Sequence, residues 1–209
     1  MIAYKESEYQ PEIPIRVHPY LDAEYDERVR YHNFRETPEL IREKLEDFKP
    51  FEPQQAVKTF YELVEWINGP ESELESNDCA FTGPKTNISV NSSKKKMECK
   101  GRLMVFFRRL PNNLNTDTMK WLLNATGAYI ERTDEQTWQD GIVGLSFMKT
   151  AFAALNNQIG EELVLRFWAF GDTEQEVFDN LDRLFRNLLT ALEGVSKEVS
   201  KALVRQSQS

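Results

Sequence analysis

The stretch Leu103-Met-Val-Phe-Phe-Arg-Arg109 decides the fold, because a second stretch, Leu163-Val-Leu-Arg-Phe-Trp-Ala-Phe170, answers it. Both are apolar runs of strand length. Each leads through a turn into a segment with helical periodicity, beginning near Thr116 in the first case and near Thr173 in the second. Each is also preceded by a further strand-like run, 77–82 before the first and 142–154 before the second. The chain therefore reads as two strand–strand–helix units sharing one sheet.

Side chains alternate between the faces of a strand, so each stretch divides into two sets. Leu103, Val105 and Phe107 share one face, and Lys100, Arg102, Met104, Phe106 and Arg108 share the other. In the later stretch Leu163, Leu165, Phe167 and Ala169 oppose Val164, Arg166, Trp168 and Phe170. The wholly apolar sets are expected to meet the helices. The mixed sets leave an open face carrying Arg102, Met104, Phe106, Arg108, Arg166, Trp168 and Phe170, residue types enriched where proteins bind one another. That face is the candidate partner surface.

The helices are read from caps and spacing. A short one starts at Thr37, where Pro38 fits the first helical position and Leu40, Ile41, Leu45 and Phe48 make a narrow stripe. A clearer one places Ala56, Phe60, Leu63, Val64 and Ile67 on one side and stops at Gly69-Pro70. The middle helix spans about 116–131, with Met119, Leu122, Leu123 and Ile130 inward. The last opens on a capping box, Thr173 with Glu176, and carries a wide face from Val177 to Leu192; Gly194 is its expected end.

The expected fold is α+β: a four-stranded antiparallel sheet with helices on one face, a variant of the ferredoxin-like group, preceded by an extended arm. Its parts are an arm over 1–35, two helices over 36–70, the duplicated unit over 71–195 and a polar tail over 196–209. The arm holds five of the seven tyrosines, Tyr4, Tyr9, Tyr20, Tyr25 and Tyr31, interleaved with charges and prolines. Tyrosine suits a half-buried surface, whereas a solvated tail is poor in aromatics. The arm is thus expected to lie on something, its own domain or a neighbour, and the run 13–17 suits an edge strand.

Composition narrows the functions. A net charge of −8 argues against general nucleic-acid binding. The one basic cluster is Lys94, Lys95, Lys96 and Lys100 with Arg102, on and beside a polar loop. No apolar run has membrane-spanning length, and the first residues lack the pattern of a signal peptide, so a cytoplasmic site is expected. Cys79 and Cys99 read as two thiols on adjacent strands.

No catalytic, metal or cofactor motif is found. There is no phosphate-binding glycine loop and no nucleophile elbow. His18 and His32, the only histidines, flank the acidic run Asp22, Glu24, Asp26 and Glu27 at no ligand spacing. The expectation is a non-enzymatic interaction or assembly protein, a homo-oligomer subunit or a partner in a larger complex, using the arm and the open sheet face. Two alternatives stand beside it. One is a small-molecule-binding domain or unfamiliar enzyme with a pocket between sheet and helices, which a polar group buried beneath Trp66, Trp121 or Trp138 would support. The other is a binder of nucleic acid or an acidic partner through the Lys94–Arg102 patch.

Overall fold

The computed structural model describes residues 2–4, 16–18, 33–88, 93–133, 137 and 139–207. From the N-terminus come strands β1 (Ile2–Tyr4) and β2 (Arg16–His18), then helices α1 (Leu40–Lys44) and α2 (Gln55–Asn68). The first hairpin is β3 (Leu74–Thr86) with β4 (Met97–Phe107), followed by α3 (Thr116–Glu131). The second is β5 (Gly141–Phe152) with β6 (Gln158–Gly171), followed by α4 (Glu174–Ser207).

The two strand–strand–helix units share one α+β sheet. Each hairpin is antiparallel, and β4 runs antiparallel to β6, which gives the order β5-β6-β4-β3. The sheet is wider than the four strands expected. β1 and β2 both add in parallel to the outer edge of β5, β1 against 143–145 and β2 against 150–152. Those pairings cover part of an edge that would otherwise present free N–H and C=O groups. Of the arm tyrosines, Tyr4 falls in β1; Tyr9, Tyr20, Tyr25 and Tyr31 lie outside the described residues.

Alternation sorts the strands as the sequence implies. Leu103, Val105 and Phe107 from β4, and Leu163, Leu165, Phe167 and Ala169 from β6, join the core with α2, α3 and α4. Phe60 of α2, Phe167 of β6 and Phe185 of α4 form its centre, with Phe167 and Phe185 edge-on at 5.0 Å. Gly101 makes room for this packing: a Cβ there would lie 2.3 Å from the Ala80 carbonyl oxygen and 2.4 Å from Phe167 Cζ. Fully burying a side chain of this size is worth about 1.5–3 kcal/mol, so the helix-side face dominates stability.

Three elements depart from their expected bounds. The helix expected from Thr37 is the five-residue α1 followed by a 3-10 turn over Glu46–Phe51, which contains Pro50. The ring of Phe48 holds that turn down, stacked between Phe60 at 4.3 Å and Phe81 at 4.8 Å. β3 reaches well beyond 77–82 because bulges between Ser76 and Cys79 and between Thr82 and Lys85 interrupt its alternation without ending its pairing. Finally, α4 does not stop at Gly194. It continues through buried Val195, Ser196 and Val199, and Ser196 Oγ accepts a hydrogen bond from the Glu73 amide at 2.9 Å. Gly194 serves close packing, since a Cβ there would lie 2.3 Å from the Tyr129 ring.

Candidate interaction surface

The face turned away from the helices carries the sequence-predicted site, and register sets its layout. Lys100 stands opposite Trp168, Arg102 opposite Arg166, and Met104 opposite Val164. β5 continues these rows with Ile142, Gly144 and Ser146. The face divides into two zones. In one, Met104, Phe106, Phe152 and Val164 are at most 1% exposed. In the other, Lys100, Arg102 and Trp168 are half-buried and Arg166 is exposed. Phe170 is buried. Met104, Phe106 and Phe170 are therefore not presented to solvent, and the accessible part of the predicted set is Arg102, Arg166 and Trp168 with Lys100 beside them.

This accessible zone is cationic and aromatic. Arg102 and Arg166 are direct cross-strand partners, an arrangement of like charges that weakens a sheet. Arg166 Nη1 donates to Ser146 Oγ at 2.7 Å, which steers the side chain toward β5. Gly144, the β5 partner of Arg166, has no side chain to crowd it. The indole of Trp168 belongs to the same strand, two residues beyond Arg166.

Arg108 serves a different purpose from the one predicted. Its Nε lies 3.2 Å from Glu75 Oε1, and its Nη2 donates to the carbonyls of Asn68 and Gly69 at 3.2 and 2.6 Å. Those carbonyls end α2, where a cation complements the helix dipole. Glu75 also pairs with Arg35 Nη1 at 3.0 Å. Burial pushes the Glu75 carboxyl up to about 7, while the neighbouring Arg108 pulls it the other way. The same desolvation lowers the pKa of Arg108, against the pull of Glu75. This cluster ties the segment before α1 to the β3–β4 end of the sheet.

The basic loop is divided as well. Lys95 Nζ lies 3.1 Å from Asp172 Oδ2 and 3.6 Å from Glu176 Oε2, and its hydrogen bond to Asp172 raises its pKa. Lys94 and Lys96 are exposed, and Lys100 belongs to the sheet face rather than the loop tip. The lysines thus do not form one basic surface.

Two features escaped sequence reasoning. Glu75 lies in the polar start of β3, where the nearby bulge hides the strand. Glu98, beside Lys100's row and opposite Phe170, is fully buried, and neither of its carboxylate oxygens accepts a hydrogen bond among the described residues. A glutamate two residues from a lysine in a strand carries no signal for either property.

The other predicted features are dispersed. Cys99 is buried, its thiol pushed up to about 12 by desolvation, and Cys79 is half-buried; neither is in a disulfide. Trp66 packs half-buried against the core, Trp121 is 39% exposed and stacks on Phe107, and Trp138 lies outside the described residues. A cleft of about 210 Å³ lies elsewhere, lined by 44–48 and Cys79. Among the described residues no group of three His, Cys, Asp or Glu is placed to hold a metal ion, and no helix is long and apolar enough to cross a membrane. The chain matches no protein-family model, and no curated protein or solved structure is significantly similar to it.

Proposed function

We propose that the chain is a non-enzymatic interaction protein, a subunit of a homo-oligomer or larger protein complex, and that the zone formed by Lys100, Arg102, Arg166 and Trp168 receives an acidic protein surface. The observation that carries this reading is the direct opposition of Arg102 and Arg166 beside a half-exposed Trp168. Arginines aligned on one face offer the carboxylates of an acidic surface charge-assisted hydrogen bonds. Tryptophan and arginine are also the residues that most often anchor protein interfaces. The chain's own excess of acidic residues makes a second copy the first partner to test.

The arm enters the same reading. Three-residue strands added to the edge of β5 are the kind of contact that a neighbouring subunit's arm would also make. We further read the sheet as a ferredoxin-like variant. The run β4–α3–β5, with β6 inserted between its two strands, supports it as a split βαβ unit.

The test is mass in solution across protein concentration and salt. The reading expects particles heavier than the 24.4 kDa chain, reduced in mass by Arg166→Glu and by Trp168→Glu without loss of cooperative unfolding. A chain that stays monomeric throughout, and whose mixture with an acidic polypeptide such as polyglutamate shows no association that Arg166→Glu abolishes, would sink it. The division of the loop lysines, with Lys95 already paired to Asp172, favours this reading over a phosphate-binding loop tip.

A further inference from the structure

The cationic zone has a counterpart on the same chain. Where β6 ends at Gly171, the segment Asp172-Thr-Glu-Gln-Glu-Val-Phe-Asp179 leaves the sheet and enters α4, and it contains no lysine or arginine. Asp172, Glu174, Glu176 and Asp179 are all exposed. Part of this charge serves the helix itself. Carboxylates in a first turn complement the dipole, and Glu176 Oε2 accepts from the Asp172 amide at 2.8 Å. Lys95 offsets a further part through Asp172 and Glu176. Glu174 and Asp179 lie outside the pairs that Lys95 makes.

Strand geometry sets the distance between the two patches. Arg166 and Trp168 precede Asp172 along the same stretch of chain, by roughly 20 and 13 Å at the rise of an extended strand. The cationic zone faces out from the sheet, and the acidic segment stands at the rim where the chain leaves it. Opposite signs side by side make a patch complementary to itself. A two-fold axis between them brings the cations of each copy onto the carboxylates of the other, so the contact is made twice and the assembly closes at two chains. Arg166 is exposed and is held toward β5 by its bond to Ser146 at 2.7 Å. The half-buried Trp168 adds an apolar body to be covered.

We propose that the acidic surface received by Lys100, Arg166 and Trp168 is the start of α4, residues 172–179, of a second copy in a two-fold dimer. The proposal rests on the reading of the cationic zone given above and adds to it the partner and the symmetry. Spacing agrees as well as charge. Residues three or four apart on a helix are neighbours at about 5–6 Å, and directly opposed residues on a sheet lie about 4.5–5.5 Å apart. Glu176 and Asp179 have the first relation, and Arg102 and Arg166 have the second. Contacts of this kind steer encounter and fix register, and salt weakens them.

The experiment is charge exchange on the full chain. One variant is Arg166→Glu. The other combines Glu174→Lys with Asp179→Lys and leaves the Glu176 cap in place. Each alone should reduce a two-chain particle to the 24.4 kDa chain in light scattering, a twofold loss of mass, with cooperative unfolding retained. Mixed in equal amounts they should restore the two-chain mass, because one contact is then native and the other is reversed. Where the lysine variant does not fold, Glu174→Gln with Asp179→Asn removes the same charges and should also weaken dimerisation. A mixture that stays monomeric would overturn the proposal. So would α4 variants that dimerise as the wild type does; if Arg166→Glu still lowers the mass, the acidic-partner reading survives alone. A wild-type monomer that binds polyglutamate through Arg166 would have the same meaning. Mass that grows beyond two chains with concentration would exclude the closed two-fold arrangement. A particle mass that no variant changes would remove both readings.

Discussion

Arg102 and Arg166 are nearest cross-strand neighbours on adjacent antiparallel strands, with their side chains on the same face. Like charges so placed cost about 0.2–1 kcal/mol relative to a neutral pair. Arg166→Thr removes the repulsion and puts a β-branched residue on a strand. It should raise unfolding stability by about 0.5 kcal/mol while weakening association with an acidic partner. Urea unfolding and light scattering on the same samples separate the two effects. A destabilised variant would mean that the bond from Arg166 to Ser146 outweighs the repulsion.

Glu75 predicts how stability varies with pH. Burial raises its carboxyl to about 7 from an ordinary value of 4.5, so between those values the folded state holds a proton that the unfolded state has released. Between those two values the folded chain binds more protons, and stability must fall as pH rises. The loss begins near pH 4.5 and is complete above pH 7, reaching at most about 3 kcal/mol. Asp172, whose pKa is lowered by Lys95, acts in the opposite sense but below its ordinary value of 3.8, outside this window. Thermal melts from pH 5 to pH 8 should show Tm declining, and Glu75→Gln should flatten the decline. A wild-type Tm that rises across the window would refute the assignment.

What the sequence made legible was periodic and local. The faces of β4 and β6 follow from alternation alone, and α2, α3 and α4 begin where caps and spacing put them. Asn115, read as part of a turn, caps α3 by accepting from the Thr118 amide at 2.9 Å. What stayed hidden was set by distant neighbours. Gly101 looks like a weak point in a strand and is a clearance for Phe167. Arg108 looks like a free surface cation, yet Glu75 and the end of α2 engage it from outside its own strand. The division of the sheet face is hidden for the same reason. Met104 and Arg102 are two residues apart and equally aligned, and only what lies over each position makes one buried and the other half-exposed.

Gly101 yields a prediction of its own. Alanine ordinarily serves a strand interior better than glycine. Here the added methyl group would meet both a backbone oxygen and a packed ring, at 2.3 and 2.4 Å. Gly101→Ala should therefore destabilise by about 2 kcal/mol, within the range for overpacked cores. A neutral result in denaturant titration would mean that β3 shifts to accommodate it.

The far end of α4 is structural rather than a dispensable tail. Val195 is fully buried, Val199 is 7% exposed, and Ser196 and Ser200 bond to the amide and carboxylate of Glu73, just before β3. Truncation after Gly194 removes two buried valines worth about 1.5–3 kcal/mol each and the partner of a backbone amide. Stability should fall by about 3–5 kcal/mol, a loss visible as a Tm drop of roughly 10 °C. Truncation after residue 203, which keeps these contacts, should be nearly neutral.

Glu98 gives the sharpest contrast between folding and function. A fully buried carboxylate whose oxygens accept no hydrogen bond among the described residues is costly, and an apolar residue of similar volume relieves that cost. Glu98→Met should raise unfolding stability by about 1–3 kcal/mol. Glu98 stands on the same face as Lys100 and next to it in the row pattern. The variant therefore also tests whether this carboxylate contributes to the cationic zone. If particle mass and its salt dependence are unchanged while stability rises, Glu98 has no part in assembly. If stability rises and association weakens together, the carboxylate belongs to the interface, held at a cost to the fold. A fall in stability would show instead that Glu98 is hydrogen-bonded in solution.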